Sequence, residues 1–331
     1  MNLVTEALQH IQIGDKLSHE GLTVHPLIRE SLLNKDYLTL DEALELKTAQ
    51  VTEVSDSGSV PELLFRNLGD KAVFLLDGEE VVGAKQNRIL NISILAPAEK
   101  DTTIPVSCVE AGRWHHDSSD FTSAPRTHFA ASRAKKAARV SENLAAHCRA
   151  DSNQSEVWSD IQEKMDNLGS HSQTAAVEKV FEDHEEKLAK YVSELACVEG
   201  QVGAVFAIKG KTIGLELFDA VDTCQLLMPK IIRSYALDAI DPAYGRDRAP
   251  GLGSAAAAIG VVRDAPYSIH KSLGEGEDLR FDSTPNLAGG ALLARERVVH
   301  LCVFVSAERQ GHGGGTVRTS NTVRRRYRNV A

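Results

Sequence analysis

The sequence predicts an α+β fold built as one compact domain, on three observations. Residues 48 to 111 hold short β-branched runs separated by turn dipeptides. From Ala124 to Gly200 the apolar period lengthens to three and four residues, and strand patterning then returns at 201 to 217 and at 298 to 305. Strands grouped on either side of grouped helices favour α+β over a doubly wound parallel sheet, in which single strands and helices alternate. The domain is expected over 1 to 310, with 311 to 331 a Gly- and Arg-rich flexible tail.

In chain order, a short helical segment precedes a strand at LTVHPLI, and Thr39 with Glu42 forms a capping box for a helix at 41 to 47. AVFLL at 72 to 76 ends at Asp77-Gly78, a dipeptide that closes tight hairpins, so two strands are expected to meet there. ILNISIL at 89 to 95 reads as one strand, and Pro97 to Asp101 as a turn. In the strand that follows, Ile104, Val106, Cys108 and Glu110 share one face, while Thr103, Pro105, Ser107 and Val109 share the other. Helices are predicted at Ser132 to Cys148 and Gln154 to Asn167, the second capped by Ser152 or Asn153. Val177, Val180, Phe181, His184, Leu188, Tyr191, Val192 and Leu195 then mark one amphipathic helix of about five turns. Trp158 and Phe181 are expected in the core. Lys209-Gly210-Lys211 turns a hairpin, and Pro229 begins or kinks a helix. The last strands are placed near Tyr267, Leu279, Ala291 and 298 to 305.

A composition of 42% hydrophobic and 25% charged residues is that of a soluble protein with a sizeable core. The net charge is -9, yet the segment from Val317 carries five arginines and no acid, so the body is more acidic than the whole. An acidic body argues against nucleic-acid binding by the folded part. Five widely spaced cysteines without a CxxC pair fit the reducing cytoplasm, and no signal peptide or membrane-spanning apolar stretch is expected.

Several motifs carry little weight. GLGSAA at 251 to 256 spells a dinucleotide fingerprint, but no strand precedes it, and Ser254 is better placed to cap an Ala-rich helix. His312-Gly313-Gly314-Gly315 lacks a nucleophile elbow elsewhere. His115-His116-Asp117 has no helix-spaced companion ligand, so neither a metal nor another cofactor is expected.

The chemistry concentrates in 77 to 114. Glu110 ends an apolar row, where a carboxylate must be paired, solvated or held for a purpose. Lys85, Arg88 and Arg113 suit phosphate, Gln86 and Asn87 suit hydroxyls, and Trp114 offers a stacking face, a set that resembles a nucleotide pocket. Cys108 reads either as a nucleophile or as a small buried apolar residue. GEEVVGAKQNRILNISILAPA at 78 to 98 and IPVSCVEAGRW at 104 to 114 resemble the signature of the ARG and Rhodanese-Phosphatase-superfamily-associated Protein domain. The likeness extends more loosely from about residue 20 to 305, through Gln154 to Trp158 and the stretch at 200 to 218.

That resemblance implies a place in NAD and ADP-ribose metabolism and a partner of the ADP-ribosylglycohydrolase type. Carried over by position, its polar residues are Glu80, Lys85, Gln86, Asn87, Arg88, Cys108, Glu110, Arg113 and Trp114. The expected ligand is a small nucleotide, with Lys85, Arg88 and Arg113 on phosphates, Gln86 and Asn87 on ribose, and Trp114 on a ring. Glu110 is then the general base with Glu80 as second carboxylate, for hydrolysis or rearrangement of an ADP-ribose derivative. A non-catalytic nucleotide-binding module and a structural interaction scaffold are the alternatives.

Overall fold

A computed structural model describes residues 3–29, 34–55, 57–114, 120–244, 253–282, 284 and 286–305. The first part of the chain holds α1 (Leu3–Gln9), β1 (Gln12–Ile13), β2 (Leu17–His19), β3 (Leu22–Ile28), β4 (Leu38–Thr39) and α2 (Leu40–Glu45). Then come β5 (Ala49–Glu53), β6 (Glu62–Asn67), β7 (Val73–Leu75), β8 (Glu79–Gly83), β9 (Arg88–Leu90), β10 (Ile94–Ala96), β11 (Asp101–Cys108) and β12 (Phe121–Thr127). The helical run is α3 (Ala130–His147), α4 (Gln154–Leu168), α5 (Glu178–Asp183) and α6 (Glu185–Glu194). It is followed by β13 (Gln201–Ile208), β14 (Lys211–Phe218), α7 (Val221–Ile240), α8 (Ala255–Asp264), β15 (Ser268–Lys271), β16 (Glu277–Arg280), β17 (Leu287–Ala294) and β18 (Arg297–Val305). The fold is α+β, as the grouping of strands and helices predicts.

Nine strands form one sheet in the order β1-β3-β13-β14-β18-β17-β16-β15, with β2 beside β3. Six form a second, β12-β8-β9-β11-β6-β5, and three a third, β10-β7-β4. All pairings are antiparallel except β4 with β7. The large sheet is covered on both faces, because β13 alternates apolar residues to either side: Ala204, Phe206 and Ile208 pack with α3, α6 and α7, while Val205 packs with α1 and α8. Phe206 stacks on Tyr235 at 3.9 Å between ring centroids. The six-stranded sheet builds a separate core from Val51, Leu63, Phe65, Leu90, Ile104 and Val106.

Local signals are realised where local chemistry decides. Thr39 accepts from the Glu42 amide while Glu42 answers to the Thr39 backbone, Asn153 caps α4, and Ser254 caps α8. Lys209 and Gly210 take φ of +49° and +78° in the β13–β14 hairpin.

Four expectations are corrected. Asp77-Gly78 does turn the chain, with Gly78 at φ +78°, but β7 pairs with β10 and β4 whereas β8 pairs with β9 and β12, so the turn passes between two sheets and closes no hairpin. The 89 to 95 run is likewise broken into β9 and β10, which lie in different sheets. At the break Asn91 donates to the Ala150 carbonyl and accepts from Ser107, contacts that hold it out of a straight strand. The helix expected over 177 to 195 breaks at His184, whose φ of -113° and ψ of 10° separate α5 from α6. Pro229 stands inside α7, which begins at Val221, so of the two roles expected of it, beginning or kinking a helix, the first is excluded. Trp158 is 36% exposed, whereas Phe181 is core. The motifs at 115 to 117 and 312 to 315 and the tail from 311 lie outside the described residues.

A buried polar network ties α3 to the sheets. Arg133 Nη1 donates to Glu216 Oε1 at 2.8 Å, Glu216 Oε2 lies 3.0 Å from His300 Nε2, and His300 Nδ1 lies 2.8 Å from Ser93 Oγ. Ser93 in turn accepts from the Asp77 amide, and the Asp77 carboxylate pairs with Lys136. No described helix is long and apolar enough to cross a membrane.

Candidate functional site

β9 runs between β8 and β11 and sets which way the candidate side chains point. Arg88 is opposite Val81 on one side and Cys108 on the other, and directly opposed residues leave the same face of a sheet. Glu80 is opposite Ile89 and therefore leaves the other face. The candidate residues accordingly divide into two neighbouring groups.

The first group is a chain of hydrogen bonds that begins at Glu80. Arg126 holds the Glu80 carboxylate with two donors, at 2.6 and 3.1 Å, and reaches Glu178 at 3.0 Å. Glu178 accepts from Asn87 Nδ2 at 3.1 Å, and Asn87 Oδ1 accepts from the Gly83 amide and from Arg113 Nη2 at 3.0 Å. Arg113 Nε donates to Glu110 Oε2 at 2.8 Å, which also accepts from the Asn87 amide, and Thr174 Oγ1 donates to Glu110 Oε1 at 2.8 Å. Arg113 Nη1 further donates to the carbonyl of Ala84, a residue with φ of +40°, so it fixes the sharp turn that presents Lys85 and Gln86.

This arrangement sets the carboxylates apart. Burial pushes Glu80 above the ordinary carboxylate value despite Arg126. Burial pushes Glu110 the same way, but hydrogen bonds from Arg113, Thr174 and the Asn87 amide outweigh it and hold Glu110 below the ordinary 4.5. A depressed carboxylate contributes stability that is present above its unfolded value and lost as pH falls through the folded one. Relative to Glu110→Gln, the wild-type chain is therefore expected to hold a constant stability advantage at neutral pH that narrows below pH 4.5. Urea titrations across that range check this, and an advantage unchanged in acid would show that the ion pair does not titrate with folding.

The second group centres on Arg88. The residue is 0% exposed, and its Nη1 donates to Gln86 Oε1 at 3.1 Å. Its Nε and Nη2 are buried without a hydrogen-bond partner among the described residues. Trp114, 46% exposed, lies over it, with the guanidinium carbon 5.6 Å from the ring centroid and Lys85 Nζ at the same distance. Cys108 Sγ projects from the same face, where burial drives its thiol up to about 11 against the pull of Arg88. A thiol so placed is protonated at neutral pH, which fits the buried apolar reading of Cys108 better than the nucleophile.

Of the three predicted phosphate-binding cations, Lys85 and Arg88 thus meet under Trp114, while Arg113 and Glu110 clasp each other next door. Asn87 joins Arg113 and Glu178, and Gln86 joins Arg88. Clefts of about 770 Å³, lined by Lys135, Lys164 and Tyr244, and about 580 Å³, lined by Arg29 and Arg297, lie elsewhere.

Four partners escape a reading by sequence because they come from distant elements. Arg126, Thr174 and Glu178 complete the first group, and the Gln154 side chain accepts from the Cys108 amide and donates to the Cys108 carbonyl, both at 2.8 Å, as a neighbouring strand would. A fifth, Glu53 at the end of β5, has both carboxylate oxygens buried without a partner among the described residues. Among those residues no group of three His, Cys, Asp or Glu is arranged to hold a metal ion.

The family described as ARG and Rhodanese-Phosphatase-superfamily-associated Protein domain matches residues 10–304. The chain belongs to this family. The ARG and Rhodanese-Phosphatase-superfamily-associated Protein domain thus takes in the chain from just before β1 to the penultimate residue of β18, and includes both groups of the candidate site. No curated protein and no solved structure matches the chain.

Proposed function

We propose that the chain binds a nucleotide of the ADP-ribose or NAD class, with Arg88 and Lys85 taking phosphate oxygens and Trp114 stacking on a ring. The observation that carries this reading is the Arg88 guanidinium, fully buried yet with two nitrogens, Nε and Nη2, unsatisfied among the described residues. A buried donor without an acceptor costs about 1–3 kcal/mol, more when charged, and a guanidinium fork matches phosphate in geometry and charge. Trp114 is the outermost member, so a ligand reaches Arg88 by moving or sliding beneath the indole.

Hydrolysis or rearrangement of that nucleotide is the activity we assign. Glu110 is ionised at neutral pH and its Oε1 accepts only from Thr174 among the described residues, which leaves capacity to take a proton from water or a hydroxyl. Glu80, held by both Arg126 donors, orders the neighbouring strands. A second reading, a non-catalytic module serving an associated hydrolase, is favoured by how firmly both carboxylates are engaged.

The test is a thermal-shift and calorimetry panel of NAD, ADP-ribose, its phosphorylated forms and AMP, followed by product analysis. A ligand that binds only the folded state raises the melting temperature by mass action. Binding with turnover that Glu110→Gln abolishes supports the enzyme, and binding without product in either protein supports the module. No binding by any member of the panel refutes both.

A further inference from the structure

The charged group left over next to Arg88 narrows the ligand further. Glu53 closes β5, where it is opposite Leu63 of β6, and Leu63 is opposite Ile104 of β11. Ile104, Val106 and Cys108 alternate along β11 onto one face, and Cys108 is opposite Arg88. Glu53 and Arg88 therefore leave the same face of the same sheet, from strands on either side of β6 and β11. Their charges act on each other and on the Cys108 thiol between them.

Neither Glu53 oxygen has a hydrogen-bond partner among the described residues, although both are buried. A Cβ on Gly58, which takes φ of +75°, would stand 3.2 Å from Glu53 Oε2 and 3.3 Å from Lys85 Nζ. The acid and the lysine thus both pack closely against Gly58, which brings Glu53 to the same corner as Lys85 and leaves no room there for a side chain.

An ionised carboxylate is an acceptor only, and two such oxygens match two adjacent hydroxyls. Like charge disfavours phosphate at that corner, whereas the Arg88 guanidinium, with Nε and Nη2 lacking partners among the described residues, matches it in charge and geometry. The two predicted ribose ligands are engaged elsewhere, Gln86 with Arg88 and Asn87 with Arg113 and Glu178.

We infer that Glu53 accepts the vicinal hydroxyls of a sugar whose phosphate lies on Arg88, so that the site takes a phosphorylated sugar with a free diol. The inference rests on the nucleotide reading above and names the sugar part of its ligand.

Calorimetry with ribose 5-phosphate, 2-deoxyribose 5-phosphate and inorganic phosphate tests it. The wild-type chain is expected to bind ribose 5-phosphate at least tenfold more tightly than the deoxy sugar. Glu53→Gln is expected to erase that preference while leaving inorganic phosphate unchanged, and Glu53→Asp to keep part of it. A wild-type chain that treats the two sugars alike overturns the assignment without any variant, as does a Glu53→Gln protein that keeps the preference. In both cases phosphate binding survives, so the nucleotide reading stands. Failure of all three ligands and of the nucleotides defeats that reading and this inference together.

Discussion

Glu216→Ala is expected to lower the stability of the chain by about 3–5 kcal/mol, the cost of leaving a fully buried charge without its partner. Both members of the Arg133–Glu216 pair are fully buried, and burial alone would raise the Glu216 carboxyl, yet Arg133 and His300 together hold it below the ordinary value. Removing the acid leaves a guanidinium in the interior whose Nε already lacks a partner among the described residues, whose Nη2 meets Cys302 Sγ at 3.4 Å, and which lies 5.1 Å over Phe304. The penalty is thus an uncompensated buried charge together with the lost contact. Since domains are typically stable by about 5–15 kcal/mol, a loss of that size is readily visible in urea titrations.

Two controls give the experiment its meaning. Replacing the pair together, as Arg133→Met with Glu216→Leu, is expected to recover much of the loss, because a buried ion pair is often close to neutral against apolar residues of similar volume. Arg139→Ala, which removes an exposed arginine from Glu142 and Glu156, should cost about 1 kcal/mol or less. A Glu216→Ala loss no larger than that of Arg139→Ala would show that water reaches Arg133 and that the centre of the molecule is wetter than its geometry indicates.

The same network shows where sequence reasoning stops. Thr39 with Glu42, Asn153, Ser254 and Lys209-Gly210 were legible because each acts on backbone within a few residues of itself. The division of 89 to 95 into two sheets was not, because Asn91 and Ser93 answer to Ala150, Ser107 and His300, as far as 207 residues away. Asp77 illustrates the point most sharply: the dipeptide spells a hairpin, but its carboxylate pairs with Lys136 of α3 and the chain leaves the turn in another sheet. The candidate site divides in the same way. The polar residues of 80 to 114 stood out as more than a sheet requires, whereas the parting of Glu80 from Arg88 onto opposite faces follows from the β8–β9–β11 register. Glu53 carried no signal at all, since a carboxylate at the end of a short strand ordinarily reaches solvent.

Arg88→Met is expected to weaken ADP-ribose binding about 100-fold or more while leaving the unliganded protein as stable as before, or more stable by about 1–3 kcal/mol. Two charge-assisted hydrogen bonds to phosphate, each contributing roughly 1.5–3 kcal/mol, set the first figure. The second follows from the balance of what the substitution removes: buried Nε and Nη2 donors without partners among the described residues, against one bond to Gln86, the contact beneath Trp114 and the attraction of Glu53. Methionine keeps an unbranched apolar chain beneath Trp114 and adapts to irregular space. Arg88→Lys should retain charge but lose the fork, and so should fall between the two in affinity. A structural arginine predicts the opposite pattern, a melting temperature that drops with Arg88→Met and a ligand response that does not change. Calorimetry for affinity and melting of the unliganded protein therefore separate the two roles in one pair of measurements. A gain in stability coupled to a loss of binding is the signature of a residue kept for its ligand, because a guanidinium held dry and unsatisfied destabilises the free protein and is offset only when an anion arrives.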